Sequence, residues 1–265
     1  MAGRIEYREH YLKELRLTFR DKAWFLKHVA GCTTLVDFGC ADGSFLEYLK
    51  KKGAPFTSMF GVENDAEFAK LCAKRGFCVR PTLGDFMEYD GRRRPESTVV
   101  VMNSVWHELA DSDKVWNALG VLGPKYIAVR DMNIQLDASR LTFTDEKRFL
   151  QRVGDLDLVR KLDQHCEFFN DTWDPWSIVH FLMKYFHDMN WCNENLENYD
   201  NLDMKWFIRT ARSLGYDVAY ENHYMLPWLR RKWRLDFGGE GMEGFQMFLD
   251  GVRTHVKILL VKQEI

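Results

Sequence analysis

The sequence predicts an α/β protein, a doubly wound and mostly parallel sheet with helices on both faces, interrupted by a helical insertion. Two observations carry that prediction. Between residues 34 and 132 short apolar runs alternate with amphipathic helical segments, as a parallel sheet requires, because each crossover must travel over a face of the sheet. Residues 133–200 then hold helical patterns but no strand-like apolar run, and residues 201–265 resume the alternation. The expected organisation is an N-terminal helical segment over 1–30, a core made of 31–132 and 201–265, and an insertion over 133–200.

Each element follows from local pattern. Residues 4–30 place Leu12, Leu15 and Phe19 on one helical face, followed by Trp24, Phe25 and Val29, which predicts one or two amphipathic helices. TTLVDFGCADGSFLEYLKKKG reads as strand, glycine-punctuated turn and helix, with Phe45, Leu46 and Leu49 on one face and Gly53 at the stop. SMFGVEN and STVVVMNS are strands, as are FCVRP and KYIAVRDM; helices are expected over DAEFAKLCAKRG, with Gly76 as its cap, and near 111–122. DPWSIVHFLMKYFHDMNW starts with Asp174 as N-cap and Pro175 at the first helical position, and its apolar residues run almost all the way round, the mark of a buried helix. DMKWFIRTARSLG is a helix, YDVAYENHY a strand, LPWLRRKWRLDFGG a loop-rich connection and THVKILLVK the last strand.

Composition narrows the function classes. The chain has 265 residues, 46% hydrophobic and 29% charged, the make-up of an ordinary globular protein. Lys+Arg 37 against Asp+Glu 39 gives a net charge of −2, so no global basic field recruits nucleic acid or anionic membrane. No stretch approaches the roughly 20 apolar residues of a membrane helix, and the charged N-terminus lacks the apolar run of a signal peptide. A cytoplasmic protein is expected, with its six scattered cysteines as free thiols.

The informative segment is Leu35-Val36-Asp37-Phe38-Gly39-Cys40-Ala41-Asp42-Gly43-Ser44. A strand that ends in a carboxylate and passes through Gly-x-x-x-Gly into a helix is expected to turn backbone N–H groups and a helix N-terminus toward a ligand, a geometry suited to a nucleoside carrying a carboxylate. The next strand ends Gly61-Val62-Glu63-Asn64, and an acidic residue there is placed for ribose hydroxyls. The third unit supplies Leu83-Gly84-Asp85-Phe86, an acceptor for an adenine amino group beside an aromatic cover.

Three carboxylates after three successive strands resemble the class I S-adenosylmethionine-dependent methyltransferases. The resemblance spans about 35–132 and 203–263. It implies a seven-stranded sheet with one reversed strand, S-adenosylmethionine as cofactor, and Asp37, Gly39, Cys40, Gly43, Glu63, Asn64, Asp85, Phe86 and Asn103 as the residues that hold it. Ala41 stands where many members of that family carry glycine. A nicotinamide-binding Rossmann enzyme is the competitor, and it would show G-x-G-x-x-G in place of Gly39 and Gly43. NSVWHEL, AVRDM and TWDPWSIVHFLMKY are also similar to a functionally obscure methyltransferase-like group from bacteria and their phages.

The fourth and fifth strands end Met102-Asn103-Ser104-Val105-Trp106-His107-Glu108 and Val129-Arg130-Asp131-Met132, which places chemistry-bearing groups at the carboxyl mouth of the sheet. His107 is the candidate general base for an acceptor that must lose a proton, with Asn103, Glu108 and Asp131 beside it. The favoured acceptor is a small molecule, and the insertion would lid its site. A nucleic-acid acceptor is the alternative, through Arg230-Arg231-Lys232-Trp233-Arg234 with Trp228 and Trp233 stacking bases, while the plainer reading of that cluster is a surface helix covering the insertion. Arg92-Arg93-Arg94 is expected at the opposite edge of the sheet. A cofactor-binding module without catalysis is a third reading, in which the insertion plugs the acceptor pocket. His165, Cys166, His180 and His187 lack a metal-like spacing, and no metal is assigned. The sequence leaves the oligomeric state open.

Overall fold

The computed structural model describes residues 12–13, 15–89, 94–109, 111–137, 160–165, 175–185, 202–237 and 243–263. The chain falls into two compact units, Met1–Asp131 with Leu202–Asn222 and Lys257–Ile265, and Met132–Asn201 with His223–Val256. The second takes its residues from the expected insertion and also from the expected core segment 201–265.

The first unit opens with a short helix α1 (Phe19–Lys22) and a 3-10 turn, Ala23–Lys27. Then follow β1 (Thr34–Phe38), α2 (Ser44–Lys51), β2 (Ser58–Val62), α3 (Ala66–Lys74), β3 (Cys78–Arg80), α4 (Leu83–Tyr89), β4 (Thr98–Asn103), α5 (Ser112–Leu122) and β5 (Tyr126–Leu136). Helix α3 starts where the Asp65 carboxylate accepts from the Glu67 and Phe68 amides, and α5 where Asp111 accepts from Lys114, so both helices begin at side-chain caps. Helix α2 buries Phe45, Leu46 and Leu49 against Leu35, Val99 and Val101 of the sheet. Full burial of such a leucine contributes about 1.5–3 kcal/mol, so this face holds the helix in place.

Seven strands form one sheet in the order β3-β2-β1-β4-β5-β7-β6, with β6 (Tyr216–Tyr224) and β7 (Val252–Lys262) reached after α7 (Met204–Ser213). Strands β1 to β5 are parallel, and their register sets Phe38 beside Val62 and Met102, Val62 beside Arg80, and Met102 beside Val129. All five carboxyl ends therefore share one edge. Strand β7 runs the other way: Lys262 at its end donates its amide to the Lys125 carbonyl just before β5, and Gln263 donates to Gly215 just before β6. The sheet is thus seven-stranded with one reversed strand.

In the second unit the helices α6 (Pro175–Tyr185), α8 (Pro227–Phe237) and α9 (Glu243–Gly251) share a core with residues near Met132 and Val252. Helix α6 buries Ile178, Val179, Phe181, Leu182 and Met183, in keeping with its all-round apolar pattern. Asp174, its expected N-cap, lies outside the described residues, as do Trp173, Phe186, His187, Trp191, Cys166 and Cys192. Helix α8 occupies the stretch read as loop-rich. Pro227 takes the first helical position and Leu229 and Trp233 turn inward at i, i+4, while intervening arginines and Lys232 hide that spacing in the sequence. Among the described residues no helix is long and apolar enough to cross a membrane.

Candidate functional site

The carboxyl edge of the parallel strands gathers the predicted residues in two groups. The first is the loop Gly39–Gly43 with the ends of β2 and β3. Gly39 and Gly43 have φ of +75° and +73°, which L side chains rarely adopt. Space restricts them as well: a Cβ on Gly39 would lie 2.7 Å from the Val105 side chain, and one on Gly43 would lie 2.7 Å from Cys72 Sγ. Ala41 shares the left-handed region at φ +46°, so the departure from glycine at this position is a strained residue.

The amides of this loop do not face outward as expected. Those of Gly39 and Cys40 donate to the Val62 carbonyl at 2.8 and 3.1 Å, and that of Ala41 donates to Glu63 Oε2 at 2.9 Å. The parallel ladder of β1 and β2 continues past the strand ends and consumes them. Glu63 Oε1 accepts from the Asp65 amide at 2.8 Å, so this carboxylate ties the glycine loop to the start of α3. Asn64 is exposed beside it. Asp42 is buried and accepts from the Ser44 amide at 3.0 Å and from Arg75 Nη2 at 2.7 Å, which fixes the loop from beneath. Cys40 packs inward, its Sγ 3.7 Å from that of Cys72. Asp85 accepts from the Thr82 hydroxyl at 2.6 Å in the first turn of α4, and Phe86 is buried edge-on to Phe60, with ring centroids 5.2 Å apart.

Asp37 is 3% exposed. Burial pushes its carboxyl up to about 7, with Glu63 adding to the rise and Lys22 opposing it.

The second group hangs on β4 and β5. Register sets Asn103 beside Arg130, and the Ser104 amide donates to the Arg130 carbonyl at 2.7 Å, so Asp131 comes under the turn that follows β4. Asp131 is fully buried; its Oδ2 accepts from the amides of Val105 and Trp106 at 3.1 and 2.7 Å, and its Oδ1 lies 2.6 Å from His107 Nδ1. That bond makes Nδ1 the protonated nitrogen, since a carboxylate can only accept. Nε2 is 3.6 Å from Glu108 Oε1, a half-exposed carboxylate. Trp106 packs on Trp116 and Phe207 at centroid distances of 5.2 and 5.0 Å, which anchors the turn. Asn103 is buried, and neither its Nδ2 nor its Oδ1 has a hydrogen-bond partner among the described residues. A buried amide left so costs about 1–3 kcal/mol, a cost that a ligand can remove.

Three residues near this edge escaped the sequence reading. Asp21 in α1 bonds Arg130 Nε at 2.7 Å and also pairs with Lys257, while Arg130 Nη1 donates to Ser104 Oγ at 2.5 Å. Lys22, the next residue, is 6% exposed, and its charge is felt by Asp37. The apolar stripe of residues 4–30 gave no hint that the intervening charges turn toward the strand ends.

The basic clusters resolve differently. Arg230 pairs with Asp250, and Trp233 is 1% exposed in the core of the second unit, so it offers no face for a base. Arg94 is exposed ahead of β4, at the amino-terminal edge, while Arg92 and Arg93 lie outside the described residues. In the second unit His165 Nε2 lies 3.0 Å from His180 Nδ1, with Trp176 stacked on His180. Burial holds these imidazoles down, to about 4 and about 3, helped by Lys184.

No family model matches the sequence, and no curated protein matches it. Solved structures do. The chain is similar to a SAM-dependent methyltransferase from Archaeoglobus fulgidus at 15% identity, over 93% of this chain and 94% of that one, with a TM-score of 0.51. It is similar to a geranyl diphosphate methyltransferase solved in complex with SAM at 12% identity, over 94% and 86%, with a TM-score of 0.52. A geranyl diphosphate C-methyltransferase from Streptomyces coelicolor A3(2), solved with Mg2+, geranyl diphosphate and S-adenosyl-L-homocysteine, matches at 13% identity over 94% and 78%, with a TM-score of 0.52. At these identities the likeness is one of fold, and the seven-stranded sheet with its one reversed strand is the class I methyltransferase fold.

Proposed function

We propose that the chain is an S-adenosylmethionine-dependent methyltransferase acting on a small-molecule acceptor, with His107 as general base. The observation that carries the proposal is the buried Asp131–His107 pair at the carboxyl edge of the sheet, the edge that also bears the glycine loop and Glu63. Buried, unpartnered polar groups there, the Asn103 amide foremost, fit a site built to receive a polar ligand.

S-adenosylmethionine, when bound, supplies a methyl group on a sulfonium. Asp37, Gly39, Cys40 and Gly43 would hold its methionine end, Glu63 and Asn64 the ribose, Asp85 and Phe86 the adenine, and Asn103 a polar group where the two halves of the site meet. Gly39 and Cys40 contribute through loop shape, since their amides are spoken for, whereas Glu63 must share its carboxylate between backbone amides and hydroxyls. Asp131 fixes the tautomer and plane of His107, so Nε2 can take an acceptor proton, and Glu108 is close enough to stabilise the imidazolium that results. The small-molecule acceptor draws support from the two geranyl diphosphate enzymes of like fold, and from the burial of Trp233, which removes a stacking platform from the basic cluster.

The test is transfer of labelled methyl from S-adenosylmethionine into a metabolite extract and, separately, into a tRNA pool. Label in the small-molecule fraction, lost with His107→Ala, is the expected result. Label in tRNA would replace the acceptor class, and no transfer despite tight cofactor binding would leave the non-catalytic module.

A further inference from the structure

Ala41 stands where the glycine-loop pattern would put a glycine, and the molecule holds it in a conformation that alanine disfavours. Its φ of +46° lies in the left-handed region, where a Cβ crowds the following carbonyl oxygen. A strained residue of this kind persists only where its surroundings over-determine it. On its amino side the Ala41 amide donates to Glu63 Oε2 at 2.9 Å. On its carboxyl side stands Asp42, and Asp42 is gripped by an arginine 33 residues further along the chain.

That arginine is Arg75, which follows the last residue of α3. Its Nε donates to the Asp42 carbonyl at 2.8 Å, and its Nη2 to Oδ2 of the Asp42 carboxylate at 2.7 Å. One planar fork thereby fixes the backbone and the side chain of the same loop residue. Oδ1 accepts from the Ser44 amide at 3.0 Å, and Asp42 is 1% exposed, so the carboxylate cannot leave the guanidinium without becoming a buried, uncompensated charge. With the Ala41 amide tied to Glu63 and Asp42 tied to Arg75, the dihedral angles between the two ties have little freedom. The third contact of Arg75 is of another kind: Nη1 donates to Glu47 Oε2 at 2.8 Å, which joins α3 to the first turn of α2.

We propose that Arg75 is a positioning residue for ligand binding: it holds Ala41 left-handed through Asp42, and so lets an alanine serve where the loop calls for glycine. The inference rests on the S-adenosylmethionine reading and adds to it a residue outside the loop. Without the clamp, Ala41 relaxes out of the left-handed region, and each binding event must restore the strained form. A glycine at the same position adopts that form without strain, so the clamp matters to alanine and not to glycine.

Calorimetric titration with S-adenosylhomocysteine tests this coupling. Arg75→Met should weaken binding by about 5- to 30-fold, the factor that left-handed strain represents, and Ala41→Gly added to it should return affinity to within about threefold of the wild type. Arg75→Lys keeps the charge but cannot grip carbonyl and carboxylate together, so its affinity should fall between. Glu47→Ala removes the bond to α2 and leaves Asp42 gripped, so affinity should hold. Arg75→Met with Asp42→Asn leaves no buried carboxylate without its arginine, which guards against a folding defect, and the same loss and the same recovery are expected of it. Hydrogen exchange of the ligand-free chain gives a readout independent of any cofactor: the Ala41 amide should exchange faster in Arg75→Met and at the wild-type rate in Glu47→Ala. Wild-type protein that binds no S-adenosylhomocysteine defeats the cofactor reading, and the clamp is then decided by that exchange. A loss that Ala41→Gly does not recover, a loss shared by Glu47→Ala, or exchange unmoved by Arg75→Met would overturn the assignment and reduce Arg75 to a tie between α2 and α3.

Discussion

The two halves of the candidate site are built from different materials. On the side of β1 to β3 the specificity is in the backbone: three residues at positive φ, glycines with no room for a methyl group, and amides bonded back into the neighbouring strand. On the side of β4 and β5 it is in side chains, an aspartate that collects two amides and an imidazole. A shape made by backbone tolerates almost no substitution but needs no ionisation. A carboxylate–imidazole pair tolerates surrounding changes yet depends on where one proton sits. The difference teaches where to strike each half without harming the other.

The largest effect is expected at His107. His107→Ala should lower turnover by about 10²–10⁴-fold while S-adenosylhomocysteine affinity, read by calorimetry, stays within a factor of a few. Asp131→Asn should lower turnover similarly, and in addition melt earlier, because an amide nitrogen in place of one oxygen cannot accept from the Val105 and Trp106 amides and from His107 together.

The backbone half should answer to added volume. A Cβ on Gly61 would lie 2.4 Å from Cys40 Sγ, so Gly61→Ala should destabilise by about 1–3 kcal/mol in denaturant and weaken cofactor binding. Adding Cys40→Ala opens the space and should recover part of both, a non-additivity that an unrelated defect would not show. Glu63→Ala should cost about 1.5–3 kcal/mol of binding and loosen the loop, since one carboxylate serves both purposes.

Acidity distinguishes the halves as well. Asp37, raised to about 7 when folded, contributes stability at low pH that is lost as pH rises through about 7. Lys22, lowered to about 7, contributes stability at high pH that is lost as pH falls through about 7. Their sum is a trough near neutrality in the melting temperature of the ligand-free protein, and Lys22→Met with Asp37→Asn should fill it by a few degrees. A flat profile shared by wild type and double variant would remove the buried-charge account. The smallest effect is expected from Ala41→Gly, which relieves a left-handed alanine and should shift stability by less than about 1 kcal/mol, with cofactor affinity held or improved.

How much of this was legible in the sequence follows the same division. Gly39 and Gly43 announce themselves locally, because positive φ has a residue signature, and the strand–turn–helix around them placed Asp37 and Glu63 without further help. The burial of Phe45, Leu46 and Leu49 followed from their helical spacing. The Asp131–His107 contact spans 24 positions and depends on the register that sets Asn103 beside Arg130, so the residues could be nominated but not joined. The destination of the loop amides was misread for a related reason, since whether an amide points to a ligand or to the next strand is a tertiary fact. Lys22 and Asp21 were invisible because periodicity reports apolar faces, and these charges lie between apolar residues of a short helix. Over α8 the sequence allowed a surface helix at the basic cluster within a loop-rich stretch; the inward turn of Leu229 and Trp233 was hidden because they are outnumbered by arginines and Lys232.

The central claim is that the carboxyl edge of β1 to β3 holds an S-adenosyl ligand. Its most direct measurement is calorimetric titration of the purified chain with S-adenosylhomocysteine and, in parallel, with NAD, repeated on Glu63→Ala. Saturable one-to-one binding of S-adenosylhomocysteine, weakened in the variant, with no binding of NAD, is the predicted result. Absence of S-adenosylhomocysteine binding by the folded wild type, or NAD binding that Glu63→Ala weakens, would contradict it.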